Sequence, residues 1–165
     1  MSRGFIKEDD LELAGTDVPE RPISPYPNYV TPNGLIQLRE KIEQLQSQRE
    51  KLKPLKDDTQ VSQRLGTIDR DLRYFESRLE TSILVEPLEH NHDVILFGAY
   101  VEVEDEDGQE SIFMIVGEDE ADLSVNKVSY VSPIAKALIG RKIGDSVIWQ
   151  RPAGNIELHI KKFHY

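Results

Sequence analysis

Between Thr31 and Val85, apolar residues recur every three and four positions in two runs separated by a proline. In the first they fall at Leu35, Leu38, Ile42, Leu45 and Leu52, with Arg49 in the slot before the last. In the second they fall at Val61, Leu65, Ile68, Leu72, Phe75 and Leu79. This spacing is the seam of helices that wind on each other. Pro54 has no N–H to give and clashes with the preceding turn, so one unbroken helix is disfavoured. The break is short, so the two segments should fold back as antiparallel neighbours. Thr31-Pro32 reads as an N-cap followed by proline at the first helical position, with that helix running to about Lys53. Any of Asp57, Asp58 and Thr59 suits the cap of the second helix, which should run to about Ser82. Arg70, Arg73 and Arg78 give it a cationic side, interleaved with Asp69, Asp71, Glu76 and Glu80. That side is either a solvated ion-paired face or a contact for RNA or a protein partner.

Three segments follow from composition: an arm over 1–30, a helical hairpin over 31–85 and a second domain over 86–165. The arm holds Pro19, Pro22, Pro25 and Pro27 and the acidic run Glu8-Asp9-Asp10. It has too little apolar surface to offset ordering, so an extended, mobile segment is expected. It is either a plain tail or a partner-binding arm anchored by Phe5-Ile6 and Tyr26/Tyr29. From Val94 the period changes to alternation, with strands over 98–104 and 111–116 around the turn Asp105-Glu106-Asp107-Gly108. A third strand is expected near 127–131, then a short helix from Ile134 to Ile139 capped by Ser132-Pro133 and ended by Gly140. Two strands over 146–150 and 156–163 complete it. The expected class is α+β: a hairpin of helices followed by a small antiparallel sheet with one helix packed on it.

The net charge of −10 is uneven: −3 over 1–30, +1 over 31–85 and −8 over 86–165. An acidic C-terminal half argues against a whole-molecule nucleic-acid binder and suits docking on a basic protein surface. The absence of cysteine from the sequence removes disulfides and thiolate metal sites and is compatible with a reducing cytoplasm. No run has signal-peptide character, and none approaches the roughly 18 apolar residues of a membrane span.

Catalytic patterns are sparse. His90-Asn91-His92-Asp93 places two histidines in a loop, but nothing else completes a metal shell, so exposed linker histidines are expected. The acids Glu118, Asp119, Glu120 and Asp122 read as a charged exposed loop. Asp57 and Asp58 differ in their place, at the tip of the hairpin. There they serve either as helix caps or as hard oxygen ligands delivered to a divalent ion held elsewhere.

Several strings together resemble the bacterial Gre transcript cleavage factors over roughly residues 29–165. They are Tyr29-Val30-Thr31-Pro32-Asn33-Gly34, Phe97-Gly98-Ala99-Tyr100-Val101-Glu102-Val103, and Ile115-Val116-Gly117-Glu118-Asp119-Glu120-Ala121-Asp122. Ser132-Pro133-Ile134-Ala135-Lys136-Ala137-Leu138-Ile139-Gly140 and Pro152-Ala153-Gly154 complete the order. The resemblance implies an antiparallel coiled coil and a C-terminal domain of FKBP-like fold. It implies docking of that domain, through Ser132, Pro133 and Ile134, on the largest subunit of RNA polymerase at the secondary channel. The coil would then enter the channel and approach backtracked RNA. In the family, acids at its tip help hold the polymerase's second catalytic magnesium, so the polymerase is the enzyme and the factor needs no cofactor of its own.

Two positions depart from the family pattern. A polar residue precedes Ser-Pro in the family, where this chain has Val131. The family's tip, an aspartate, Ser-Glu-Asn, then an acid and a tyrosine, is replaced here by Lys53-Pro54-Leu55-Lys56-Asp57-Asp58-Thr59. The hairpin is also shorter than the family's by roughly one heptad per arm, about 10 Å of reach. These features lead to a regulator of elongation that occupies the channel without stimulating cleavage. The alternative is a cleavage stimulator working through Asp57 and Asp58. A remote third reading, a peptidyl-prolyl isomerase, would need an apolar pocket built from Phe97, Tyr100, Phe113, Tyr130, Trp149, Phe163 and Tyr165.

Overall fold

A computed structural model describes residues 18–87 and 92–165. Phe5-Ile6 of the arm and His90 of the histidine pair lie outside the described residues. Contacts divide the chain into two units. One joins residues 18–26 to Leu38–Thr81, and the other joins Pro27–Gln37 to Ser82–Tyr165. These limits differ from the segments expected at 1–30, 31–85 and 86–165, because the start of the first helix and the chain before it are held by the sheet.

In the first unit, α1 spans Pro32–Leu52, its first residues belonging to the sheet unit, and α2 spans Thr59–Glu80. Between them, Lys53–Leu55 make one 3-10 turn with Pro54 inside it, so proline breaks the helix where its missing N–H requires. The chain folds back, and Ile42 and Leu45 of α1 share a buried cluster with Ile68 and Leu72 of α2. Leu52, Phe75 and Leu79 pack against that cluster. Arg49, the residue that interrupts the apolar seam, reaches across to Asp69 at 2.7 Å. Toward the tip the seam thins: Leu52, Val61 and Leu65 are half-buried and Leu55 is exposed. Residues 18–26, expected as a mobile arm, instead lie against α2, where Arg21 covers the Tyr74 ring.

The second unit is built on a five-stranded sheet. Its strands are β3 (Tyr100–Glu104), β4 (Glu110–Val116), β5 (Lys127–Ser129), β6 (Ser146–Trp149) and β7 (Ile156–His164), in the order β5-β4-β3-β7-β6. β1 (Tyr29–Val30) and β2 (Ile83–Leu84) make a separate parallel pair. The β3–β4, β3–β7 and β6–β7 pairs are antiparallel, whereas β5 joins β4 in parallel. The wholly antiparallel sheet expected from sequence is corrected at that edge. The physical reason is the 3-10 turn Leu123–Val125, which swings the chain round before β5, with Asn126 in the left-handed region to complete it.

Alternation along β3 and β4 turns Val101, Val103, Phe113 and Ile115 inward, onto a core shared with the helix α3 (Pro133–Leu138). α3 contributes Ile134, Ala135 and Leu138 to that core. A register shift opposite Glu102/Val103 leaves Lys161 and Lys162 adjacent and both exposed. Lys161 then bridges Glu104 and Glu110, and Lys162 pairs with Glu102 at 3.3 Å.

Two consequences are measurable. Because no residue between Gln46 and Thr67 is fully buried, amide exchange should be faster there than around Ile42–Leu45 and Ile68–Leu72. The second concerns Tyr165, whose hydroxyl donates to Val94 O and accepts from Leu96 N, each at 2.9 Å. Burial raises its pKa, and the Leu96 N–H only partly opposes this. The folded state therefore keeps this proton to higher pH than the unfolded chain. Its contribution is complete below the ordinary tyrosine value of about 10 and is lost as pH rises through that range. Tyr165→Phe is expected to cost about 1 kcal/mol near neutral pH and to flatten the alkaline loss, as read from urea denaturation at both pH values.

Candidate functional site

At the hairpin tip, Asp58 takes an extended conformation (φ −78, ψ 127) and caps α2. Its Oδ1 accepts from Gln60 N at 2.8 Å and from Val61 N at 3.3 Å. Asp57 is exposed in the turn just before it. The structure thus separates two residues that the sequence treated alike. One oxygen of Asp58 is committed to the helix end, where the dipole also favours it. Lys53 points back to Glu50 at 3.6 Å rather than to either aspartate. Among the described residues no group of three metal-ligating side chains comes together, so any ion at this tip would need most of its ligands from elsewhere.

The segment expected to dock on polymerase divides as well. Ser132 caps α3, accepting from Ala135 N at 3.4 Å, and donates its hydroxyl to Ser129 O at 2.6 Å. Pro133 is exposed at the first helical position. Ile134 is only 3% exposed and belongs to the core. It therefore shapes the segment from beneath and, of the three residues expected to dock, is the one with no exposed side chain to offer a partner.

The acidic loop expected to be solvated contains instead a buried carboxylate with three partners. Glu120 has a side chain only 2% exposed. Its Oε1 accepts from the Thr31 hydroxyl and its Oε2 from Asn33 Nδ2 at 3.0 Å, with Lys127 Nζ at 3.5 Å. Thr31 Oγ1 also accepts from Gly34 N at 2.9 Å, so one side chain caps α1 and holds the loop. The approach is close enough that a Cβ at Gly34 would sit 2.8 Å from Glu120 Oε1, and one at Gly117 would sit 2.3 Å from Tyr29 O. Tyr29, Phe97 and Tyr130 complete the junction as mutually tilted rings with centroids 5.4 to 6.1 Å apart. The Tyr130 hydroxyl donates to Pro27 O. Asp122, at the end of the loop, accepts from the Ser124 hydroxyl and N–H, which hold its pKa below the usual carboxylate value. Sequence reading missed this junction. Its signal was present in Thr31-Pro32-Asn33-Gly34 and in Glu120, but nothing local says that residues 89 apart meet.

Each of the rings named for an isomerase pocket is engaged with another ring. Phe113 packs edge-on to Trp149, Phe163 to Tyr165 and Phe97 to Tyr130, while Tyr100 stacks on His164.

Known proteins resemble part of this chain. The family described as transcription elongation factor, GreA/GreB, C-terminal, matches residues 90–165. The transcription elongation factor GreB of Neisseria meningitidis serogroup B is 40% identical over 103 residues, 62% of this chain and 63% of that protein. The chain is similar to the Gre family over its sheet unit. Transcription elongation factor GreA of Nitratidesulfovibrio vulgaris is 27% identical over 150 residues, covering 82% of this chain and 92% of that protein. The crystal structure of GreA factor homolog 1 of Thermus thermophilus covers 85% of this chain at 27% identity, with a TM-score of 0.41. The chain spans 63% of the length of the GreB relative, and the Gre-family match lies in the sheet unit.

Glu120→Ala would leave the Thr31 hydroxyl, the Asn33 amide and the Lys127 ammonium without their shared acceptor. It is expected to cost about 3 kcal/mol of the sheet unit's stability. Glu120→Gln keeps the shape and one carbonyl acceptor and should cost less than half of that. Denaturant melts of the two variants, followed at Trp149, check the order.

Proposed function

We propose that this chain is a transcription elongation regulator that docks on RNA polymerase through its sheet unit and places its helical hairpin in the secondary channel. The match of residues 90–165 to the GreA/GreB C-terminal family carries the reading. The turn at the head of α3, with Pro133 exposed and Ser132 half-buried, is the docking element, resting on Ser129 and on Ile134 beneath it. The partner is the largest subunit at the channel mouth, and the hairpin approaches backtracked RNA. The chain acts on the polymerase's chemistry, and the only metal involved is the polymerase's magnesium.

A tip that does not stimulate cleavage is favoured by Asp58, whose Oδ1 is taken by two backbone N–H groups of α2. A ligand to a catalytic metal must hold position to within a few tenths of an ångström. Freeing that oxygen for the metal would uncap the helix at a cost of about 1 kcal/mol. The second reading, cleavage stimulation, rests on Asp57, which stands exposed beside the cap.

A stalled, backtracked elongation complex tests both. With the chain and magnesium added, no short 3′ RNA fragments are expected, while cleavage by an authentic GreB slows as the chain is titrated in. Pro133→Ala should weaken that competition several-fold. Fragment release that disappears in Asp57→Ala/Asp58→Ala would establish the second reading instead. Absence of any competition, with no binding to polymerase, would remove the docking proposal.

A further inference from the structure

Residues 18–26 precede the family-matched part of the chain, and the structure gives them a defined place on α2. Glu20 Oε1 accepts from both Nε (2.9 Å) and Nη2 of Arg73, so the guanidinium fork closes on one carboxylate. Arg21 lays its guanidinium 3.9 Å from the centroid of the Tyr74 ring and 5.0 Å from that of Phe75. Its Nη1 reaches Asp71 at 3.5 Å. Asp71 in turn holds Arg70 through Nε and Nη2, at 3.0 and 2.9 Å. Pro22 and Pro25 keep the segment extended, and Ser24 Oγ accepts from Tyr26 N within it.

These contacts differ in kind from those of a packed core. Glu20 and Arg73 remain 63% and 55% exposed, and Ile23 and Tyr26 are each 48% exposed. Ion pairs and cation–π contacts at such sites are individually weak, so the segment is held but removable. What it covers is a planar aromatic face beside a cationic fork. A carboxylate fills the fork where a phosphate oxygen would bind, and a flat guanidinium covers the ring where a base would stack.

We propose that residues 18–26 are a releasable strap that occupies a nucleic-acid-binding surface of α2, formed by Arg73 and Tyr74, and that single-stranded RNA takes the surface when the strap lifts. This rests on the RNA contact in the function proposed above and adds its site and its regulation. The strap and the RNA compete for the same two groups, so the strapped population lowers apparent affinity by the ratio of closed to open chains. Closure by a few weak surface contacts makes that ratio modest.

The double variant Glu20→Ala/Arg21→Ala tests this, because it removes both anchors without changing net charge. Binding of a fluorescent single-stranded RNA of about twelve nucleotides is measured at low salt without polymerase. The variant is expected to bind roughly five- to tenfold more tightly than the parent chain. Tyr74 should become more reactive to hydroxyl-radical footprinting, and adding Arg73→Ala should erase the gain. Equal affinity of parent and variant, no binding by either, or a gain that survives Arg73→Ala would overturn the proposal. Should the double variant lose helical circular dichroism, Glu20→Ala alone carries the same readouts with a smaller gain. Since polymerase is absent, failure here leaves docking untouched, and failure to dock leaves this result standing.

Discussion

The junction between the start of α1 and the loop after β4 depends on one buried carboxylate, Glu120. Withdrawing Glu120 from water is costly, and the unit meets the cost by directing a hydroxyl, an amide and an ammonium at its two oxygens. The arrangement constrains everything near it. Thr31 must be a hydroxyl residue that both donates to Glu120 and accepts from Gly34 N, so the start of α1 and the loop after β4 are fixed by one atom. A Cβ at Gly117 would collide with the Tyr29 carbonyl oxygen at 2.3 Å, and one at Gly34 would press on the Glu120 carboxylate at 2.8 Å, so both positions favour glycine. The β1–β2 pair and the Tyr29–Phe97–Tyr130 rings follow from the same placement of residues 27–31.

The hairpin rests on different physics. Its shared buried cluster has four residues, Ile42, Leu45, Ile68 and Leu72, a thin seam for helices of 21 and 22 residues. Surface devices supplement it: the Asp58 cap, the Arg49–Asp69 bridge, and the strap whose Arg21 lies over Phe75. Phe75 also packs against the cluster, so strap and seam meet on one ring. A helix pair stabilised in this way tolerates changes at its tip, since few buried contacts depend on the tip.

What the sequence disclosed follows the range of the forces involved. Both long helices, their break at Pro54, the caps at Thr31 and Ser132, and the β3–β4 turn come from interactions within a few residues, and all were legible. The parallel placement of β5 was not, because Lys127–Ser129 is three residues long and carries no sign of direction. Two-residue strands such as β1 and β2 have no period to detect. Glu120 was misread as solvated for a related reason: among four acids in five positions, composition favours water, and only a partner 89 residues away reverses that. The strap was misread because its low apolar content was weighed against ordering entropy, without the guanidinium–ring contact that offsets part of it.

This division bears on what family likeness transmits. Thr31-Pro32-Asn33-Gly34 and the string from Gly117 to Asp122 are among the most recognisable in the chain, and the structure brings them together around Glu120. Their presence is explained by the demands of folding: a cap, a close approach and a satisfied carboxylate. A chain could keep all of these and lose any particular effect on polymerase. Outside that arrangement lie Pro133 at the surface, Asp57 at the tip, and Arg73 with Tyr74 beneath the strap. The tip and the strap both lie outside the residues that match the GreA/GreB C-terminal family. Function in this chain is therefore to be read where its residues are least required by its fold.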